Sequence, residues 1–403
     1  MSRHFRELPP LSLYVHVPWC VRKCPYCDFN SHEQRGDIPE ASYVDALLAD
    51  LADEMPGVWG RAISSVFIGG GTPSLLSGGA VDRLMSGIRA LTGLSPTVEV
   101  TMEANPGTFE QQRFRDYRES GINRLSIGIQ SLDARALKSL GRVHTAGEAL
   151  RAVDIARQAG FAEINLDLMF ALPGQSLEQA LQDVRTALSL GATHLSCYEL
   201  TLEPNTLFAR HPPSLPEDDL RADMQTAIVE ALSAGSFERY EISAYAHSSS
   251  LSHRCSHNLN YWQFGDYLGI GAGAHGKISS AVDGTIVRRW KHKHPARYLG
   301  AGSAVERLGG ETAIATEETA LEFMMNALRL VDGFPLPLFE QHTGTSLIPW
   351  QGTIDQAIDR GLLEREGLSL KATATGFSWL NEILAMFLPD TRRYPVIPLN
   401  AVR

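Results

Sequence analysis

Short apolar runs rich in β-branched residues alternate with segments of helical periodicity through the first half of the chain. Six runs are predicted as strands: LSLYVHV (11–17), SVFIGGG (65–71), VEVTMEA (98–104), RLSIGIQ (124–130), EINLDLMF (163–170) and HLSCYELTL (194–202). Several helical segments between them end at a glycine, the usual closing residue of a helix. Consecutive strand–helix units predict a parallel sheet covered by helices, and periodicity alone fits a doubly wound sheet and a barrel equally well.

Polar residues that are unusual for such apolar strands fall at the carboxyl ends of the predicted strands. They are Cys20, Cys24 and Cys27 after the first strand, GGGTPS (69–74) after the second, Glu103 after the third, Gln130 after the fourth and Asp167 within the fifth. Active sites of β/α barrels gather at that face. These polar residues are spread over five strands, and in a flat sheet the outer strands would lie too far apart for them to form one site. The pattern therefore favours a curved sheet. We therefore expect an α/β fold with a partial (β/α)6 TIM-like barrel.

The regular alternation stops after the proline-rich segment 202–219. A helix at about 217–234 and a strand RYEISAYA (239–246) are predicted next, and an aromatic and glycine-rich stretch follows. The last part is helical and ends in a helix, a hairpin and a helix, an order that resembles a winged-helix module. Its ten acidic against four basic residues in 313–388 argue against DNA binding and favour packing or partner docking. The predicted regions are 1–235 (barrel), 236–310 (connector), 311–388 (C-terminal α+β module) and 389–403 (tail).

Charge and hydropathy narrow the function classes. The chain has 403 residues and a formal net charge of −10, which argues against general affinity for nucleic acid or anionic lipid. Neither a signal peptide nor an apolar run of membrane-spanning length is found, so we expect a cytoplasmic protein. The basic stretch RRWKHKHPAR (288–297) is the local exception; it fits a solvated loop or a site for acidic groups of a partner or ligand.

Three of the five cysteines lie within CVRKCPYC (20–27), which indicates metal binding in a reducing compartment rather than a disulfide framework. A zinc site completed by His16 or His32 is one interpretation. An iron–sulfur cubane is the other: it has four irons, so three thiolates would leave one iron open to another ligand.

The spacing CxxxCxxC at the end of a first strand, with Tyr26 before the last cysteine and GGGTP (69–73) after the second strand, resembles the radical S-adenosylmethionine (SAM) superfamily. The resemblance implies a [4Fe–4S] cluster on the three cysteines, with SAM chelating the open iron. It assigns SAM contacts to Tyr14, Tyr26, Gly70, Gly71, Thr72, Glu103, Gln130, Arg142 and Asp167. Among these, the two carboxylates would hold the ribose hydroxyls or the amino group of SAM, and the arginine would pair with its carboxylate.

Motifs along nearly the whole chain resemble the HemW heme chaperones, which are related to the oxygen-independent coproporphyrinogen III oxidases of the HemN family. HNLNYW matches their HNxxYW heme-binding signature and implies a heme site of His257, Asn258, Tyr261 and Trp262; Cys255 is an alternative iron ligand. Two features differ from the oxidases: Phe29 replaces a fourth cysteine, and only nineteen residues precede Cys20.

The resemblance implies that the chain binds heme and delivers it to client hemoproteins, such as respiratory enzymes or bacterioferritin. No residue is assigned a catalytic role, and nucleic acid is not expected as a partner. Homodimerisation and transient docking on a membrane complex stay open. Two alternatives also stay open: a coproporphyrinogen III oxidase, and a zinc-stapled binding protein without catalysis.

Overall fold

The computed structural model describes residues 3–107, 111–250 and 253–389. The predicted tail, 389–403, lies outside these residues except for its first position. Within the described ranges, no helix is both long enough and apolar enough to cross a membrane.

Residues up to 250 form short strands that alternate with helices. The strands are β1 (Leu11–Val17), β2 (Trp19–Cys20), β3 (His32–Glu33), β4 (Ile63–Gly70), β5 (Glu99–Ala104), β6 (Arg124–Gln130), β7 (Glu163–Phe170), β8 (His194–Glu199), β9 (Phe237–Arg239) and β10 (Ala244–His247). The helices are α1 (Glu40–Glu54), α2 (Gly78–Thr92), α3 (Gln111–Glu119), α4 (Ala134–Ser139), α5 (Ala146–Gln158), α6 (Leu177–Ser189), α7 (Leu207–Arg210) and α8 (Asp218–Ala234). The predicted alternation of strands and helices is confirmed.

The remaining residues begin with a short helix and three longer strands and end in a mostly helical region. The strands are β11 (Asp266–Ile270), β12 (His275–Ser280), β13 (Thr285–Lys291), β14 (Leu308–Ala313), β15 (Phe334–Pro335), β16 (Leu363–Glu366) and β17 (Ser369–Ala372). The helices are α9 (Ser256–Trp262), α10 (Pro295–Leu299), α11 (Ala304–Arg307), α12 (Thr319–Ala327), α13 (Leu336–Thr343), α14 (Gln351–Asp359), α15 (Ala374–Ser378) and α16 (Leu380–Met386).

Among the described residues, twelve strands form one sheet in the order β14-β13-β12-β11-β1-β4-β5-β6-β7-β8-β10-β9. The strands β11, β1 and β4 through β8 run parallel, so their carboxyl ends lie along one edge. Leu13 of β1, for example, pairs with Val66 of β4 on one side and with Leu268 of β11 on the other. The sequence predicted the six strands that follow one another but not the seventh, β11, which the chain adds beside β1.

The helices cover this sheet with apolar faces and begin at residues that satisfy their free backbone amides. Thr145 and Glu148 form a capping box at α5, and Ser176 and Gln179 form another at α6. Leucine, valine and isoleucine side chains between sheet and helices are almost fully buried. Each such side chain contributes roughly 1.5–3 kcal/mol relative to an exposed one, and the resulting rigid core fixes the strand ends in space.

Two predictions for the connector were wrong. RYEISAYA does not form one strand: β9 ends at Arg239 and pairs with β10 as an antiparallel hairpin, with a bend between them. The expectation of a solvated loop at 288–297 was wrong for the first part of that stretch, which is β13, whereas Lys293 and Arg297 are exposed. There Lys291 is buried and its Nζ lies 2.6 Å from carboxylate oxygens of both Asp50 and Glu54.

The C-terminal region has its own apolar core, where Phe323 packs against Phe334 and Phe339 at ring-centroid distances of 4.9 and 5.0 Å. Phe264, just before β11, also contacts Phe323, which joins this core to the main sheet. The predicted order of helix, hairpin and helix is present as α14, β16–β17 and α15–α16. Its likeness to a winged helix stays a prediction.

Candidate functional site

The three clustered cysteines lie on a loop whose ends are tied together. Trp19 pairs with His32 and Cys20 pairs with Glu33 in the small sheet β2–β3. The two ends of the loop therefore lie side by side. Cys20 is 9% exposed, whereas Cys24 and Cys27 are half-buried. Burial raises the pKa of the Cys20 and Cys27 thiols. In the metal-free chain these thiols are therefore protonated near neutral pH, and metal binding must release their protons.

The glycines after β4 allow this loop to approach the sheet closely. A Cβ atom on Gly71 would lie 2.5 Å from the Trp19 carbonyl oxygen and 3.0 Å from Cys20 Sγ. Gly70 has a φ of +118°, and a Cβ there would lie 2.7 Å from the His16 ring. Side chains are thus excluded at both positions, and the backbone of the glycine turn lies directly against the cysteine loop.

A cavity of about 420 Å³ opens at the carboxyl ends of the parallel strands, and we call it the cluster cavity. Eleven of the twelve residues predicted to bind the cluster or SAM line it: Cys20, Cys24, Tyr26, Cys27, Gly70, Gly71, Thr72, Glu103, Gln130, Arg142 and Asp167. The structure thus brings together side chains from five strands and their loops, as the barrel prediction requires. Their roles in binding stay predictions.

Glu103 and Asp167 are carboxylates of the cluster cavity that form no salt bridge with any residue that the structure describes. Glu103 accepts a hydrogen bond from the Gly70 amide at 3.0 Å, and Asp167 accepts one from Ser126 Oγ at 2.9 Å. Burial, and then the charge of Asp167, raise the pKa of Glu103 to about 8. Burial also raises the pKa of Asp167. Such carboxylates favour a cationic ligand, because its charge would offset the cost of keeping them ionised.

Arg142 places a cation beside one of the cysteines. Its guanidinium donates to Asn105 Oδ1 at 2.7 Å and to the Gly128 carbonyl at 2.6 Å, and Nη1 lies 3.8 Å from Cys24 Sγ. The side chain is therefore held rigidly with its charge beside one predicted cluster ligand. It can stabilise a thiolate or an anionic ligand group there.

Gln130 ends β6 in a left-handed conformation, with φ of +69°, which is rare for a residue with a side chain. Its Oε1 accepts a hydrogen bond of 2.6 Å from the hydroxyl of Tyr198 on β8. Sequence reasoning missed Tyr198, and also Ser126, which lies on the same face of β6 four residues before Gln130. Ser126 could have been predicted, because alternate residues of a strand face the same side and Ser126 alternates with Gln130 in RLSIGIQ. No local sequence pattern distinguishes Tyr198.

A second cavity, of about 490 Å³, adjoins the first, and we call it the aromatic cavity. Its lining includes Tyr14, His16, Tyr261, Trp262, Phe264, Tyr267, His275, Lys277, Arg288 and Lys293. Asp28, Phe29, Gly70 and Glu103 line both cavities and form a shared wall. Tyr14, predicted near SAM, therefore lies on the far side of this wall from the cysteines.

The four residues of the heme-binding signature divide between this cavity and the core. Tyr261 and Trp262 line the cavity, and Asn258 is half-buried on α9. His257 is 1% exposed, its Nδ1 lies 3.0 Å from Ser65 Oγ, and it is absent from the lining. Burial lowers the pKa of His257 to about 3, so the imidazole is neutral. Its assignment as iron ligand stays a prediction.

The alternative ligands named from sequence are bonded elsewhere. His16 contacts the Tyr14 hydroxyl at 2.9 Å and the Asn30 carbonyl at 2.8 Å, so both its ring nitrogens are engaged. His32 Nε2 bonds to the Lys293 carbonyl. Cys255 is buried, and its thiol donates to Glu99. Across the described ranges, no three His, Cys, Asp or Glu side chains are gathered tightly enough for a single metal ion.

Comparison with known proteins identifies the family to which the chain is similar. The profile of the radical SAM superfamily matches residues 14–187, and that of the HemN C-terminal domain matches residues 314–379. Coproporphyrinogen III oxidase (HemN) from Escherichia coli, described as a radical SAM enzyme, superposes with a TM-score of 0.79. The overlap covers 94% of this chain and 90% of the oxidase at 21% identity, and it shows the shared fold.

Two curated relatives are similar over the full length. The heme chaperone HemW of Escherichia coli strain K12 is 46% identical over 384 residues, 95% of this chain and 100% of the relative. The heme chaperone HemW of Haemophilus influenzae is 45% identical over 388 residues, 95% of this chain and 99% of the relative. Since this identity extends over nearly the whole of each relative, the chain belongs to the HemW family within the radical SAM superfamily.

Proposed function

We propose that this protein binds a [4Fe–4S] cluster, SAM and heme, and transfers the heme to client hemoproteins in the cytoplasm. The observation that carries the proposal is the pair of adjoining cavities. One is lined by the three clustered cysteines and by carboxylates, and the other by aromatic and basic side chains. The names of the curated relatives support heme as the cargo.

The residues of the cluster cavity fit the two cofactors that the superfamily implies. Three thiols on one clamped loop suit a cubane with one open iron, and Gly71 leaves no side chain between that loop and the sheet. Glu103 and Asp167 would bind the amino group or the ribose of SAM, and Arg142 would bind its carboxylate. When bound, the cluster and SAM would supply one-electron chemistry or a ligand-dependent switch.

The aromatic cavity has the composition that a heme requires. Tyr261 and Trp262 offer flat apolar faces to a macrocycle, and Arg288 and Lys293 offer positive charge to its propionates. Because Glu103 and Phe29 belong to the wall between the cavities, a ligand in one is in reach of the residues that bind the other. We infer that ligand binding in the cluster cavity controls the affinity for heme in the aromatic cavity.

The two cavities draw on different parts of the proposed domain organisation. The cluster cavity is built from region 1–235 alone, whereas the aromatic cavity combines that region with 236–310 and with Asn326. We propose that 311–388 is a packing or docking module and that clients approach the connector. Dimerisation and docking on a membrane complex are further parts of the proposed cycle.

The proposed function excludes decarboxylation of coproporphyrinogen. Phe29 stands where the related oxidases carry a further cysteine, and its side chain is 57% exposed beside the cluster loop. Phe29 thus places a bulky apolar side chain, and not a thiol, in the wall between the cavities. We therefore expect no protoporphyrinogen from coproporphyrinogen under reducing, anaerobic conditions.

The decisive experiment is an anaerobic titration of the reconstituted chain with heme, followed by transfer to an apo-hemoprotein, with and without SAM. We expect about one heme per chain and faster transfer when cluster and SAM are present. Absence of heme binding, or a rate that cluster and SAM leave unchanged, contradicts the proposal. Protoporphyrinogen formation in the same preparation would favour the oxidase, and zinc without iron or sulfide would favour the zinc-stapled alternative.

A further inference from the structure

The aromatic cavity is lined by both aromatic and basic side chains. Tyr261 and Tyr267 meet edge to face, with ring centroids 4.6 Å apart. Arg288 and Lys293 bring positive charge to the same lining, and Arg288 lies 3.5 Å from the Tyr267 hydroxyl. A planar, largely apolar ligand that carries carboxylates matches a lining of aromatic rings and basic side chains.

Three histidines lie in or next to this cavity, and they differ in how their rings are occupied. Both ring nitrogens of His16 are hydrogen-bonded. His257 is almost fully buried, with its ring centroid 5.2 Å from that of Phe67 and 4.7 Å from that of Tyr261. Its Nε2 is buried and has no hydrogen-bond partner among the described residues, and the residue is absent from the lining of the cavity.

His275 is the third histidine, and it is exposed to the cavity. Its ring stacks on Trp290, its cross-strand partner, at a centroid distance of 6.3 Å and an interplanar angle of 27°. Within the part of the chain that the structure describes, neither of its ring nitrogens has a hydrogen-bond partner. The imidazole is therefore held in place by stacking and keeps its nitrogens available.

The protonation state of His275 suits iron binding. Burial, Lys293 and Arg288 all lower the pKa of its imidazole. A neutral imidazole is the form that donates its lone pair to a metal. Lys293 and Arg288, the two cations that lower this pKa, can also attract a carboxylate of the bound molecule.

The three basic side chains of the lining are not equally available. Lys277 is buried and lies 2.9 Å from Asp266 Oδ1, and Arg288 is paired with Glu322. Lys293 is exposed, and its Nζ has no partner among the described residues. Its backbone carbonyl accepts a hydrogen bond of 2.9 Å from Asn30, on the loop that follows the cysteines. Lys293 is thus the free cation of the cavity, and it is anchored to the cluster loop.

We propose that His275 binds the heme iron in the aromatic cavity and that Lys293 holds a propionate, whereas His257 is a positioning residue. This inference rests on the proposed function. A single imidazole from the chaperone leaves the opposite face of the iron open to a ligand from the client. His257, bonded to Ser65, fixes α9 so that Tyr261 and Trp262 face the cavity.

The test compares His275→Ala, His257→Gln and the control His211→Ala, an exposed histidine outside both cavities. Each purified full-length chain is titrated anaerobically with ferric heme, and the optical and electron-paramagnetic spectra are recorded. We expect His275→Ala to lose the imidazole-type spectrum and to weaken heme binding about tenfold or more, as loss of a direct ligand requires. Added imidazole should restore that spectrum. His257→Gln and the control should keep the wild-type ligand spectrum.

Lys293→Ala is tested with heme and with its dimethyl ester, which lacks free propionates. We expect the variant to bind heme about three- to tenfold more weakly than wild type, as for loss of one ion pair, and to bind the ester equally well. A uniform loss with both probes would overturn the propionate assignment.

The outcomes separate this inference from the proposed function. If His257→Gln loses the imidazole spectrum while His275→Ala keeps it, the inference is wrong and heme binding stands. If both variants keep it, neither histidine is the ligand, and the inference is again wrong. If wild-type protein takes up no heme, the proposed function fails and the inference with it. Because His275 is exposed, its alanine variant is expected to fold, which circular dichroism checks.

Discussion

The half-buried carboxylate of Glu103 allows a quantitative prediction about stability. The side chain lies on β5, accepts the Gly70 amide and lines both cavities. Replacement by glutamine keeps the shape and an oxygen for that hydrogen bond but removes the ionisable proton. In the metal-free chain, Glu103→Gln should therefore increase the free energy of unfolding, and the increase should depend on pH.

The magnitude follows from the pKa. Burial and Asp167 raise the pKa of Glu103 from 4.5 to about 8, and each tenfold change in proton affinity is worth about 1.4 kcal/mol. Ionising the group in the folded chain therefore costs up to about 5 kcal/mol. This figure is an upper bound, because the side chain keeps contact with solvent in the cavity.

The sign follows from proton linkage. Between pH 4.5 and 8 the folded chain keeps a proton on Glu103 that the unfolded chain releases. The stability that this proton provides is complete below pH 4.5 and is lost as the pH rises through 8. Glutamine does not titrate. The increase in the free energy of unfolding caused by Glu103→Gln should be near zero in acid and should reach its full value above pH 8.

Urea unfolding of the metal-free protein at pH 6 and pH 8.5 measures this difference. We expect the advantage of Glu103→Gln to grow by about 2–3 kcal/mol between the two pH values. The matched control is Glu238→Gln, at an exposed position on β9, which should change stability by less than about 0.5 kcal/mol at both. An equal gain at the two pH values, or destabilisation at both, would refute the reasoning.

Further variants test the walls of the two cavities. Gly71→Ala should abolish cluster reconstitution, measured as iron and sulfide content, because its Cβ would lie 2.5 Å from a backbone oxygen; Gly79→Ala, with open space around it, should reconstitute normally. Asn30→Ala removes the hydrogen bond to Lys293 and should uncouple the cavities, so that SAM no longer changes the rate of heme transfer while heme still binds. Cys255→Ala should leave the heme spectrum unchanged, since the thiol is buried outside the aromatic cavity; a changed Soret band would make it a ligand.

The sequence by itself determined the parallel sheet and most of the cluster cavity. Strand runs and helical segments are local patterns, and each carboxyl end of a parallel strand falls on the same edge of the sheet. Cys20, Gly71, Glu103 and Asp167 could therefore be expected to meet before any coordinates were known. The structure brings them together around one cavity.

Only the tertiary structure decided which residues form the second cavity. The strand β11 lies beside β1 although more than 200 residues separate them in the chain, and His275 and Lys293, which follow β11, line the same cavity as Phe29. The signature HNLNYW lies on α9, and its spacing could not show that His257 is buried in the core while Tyr261 lines the cavity. Sequence patterns report the face of a single element, whereas the contents of a cavity depend on long-range strand pairing and side-chain packing, which spacing along the chain does not encode.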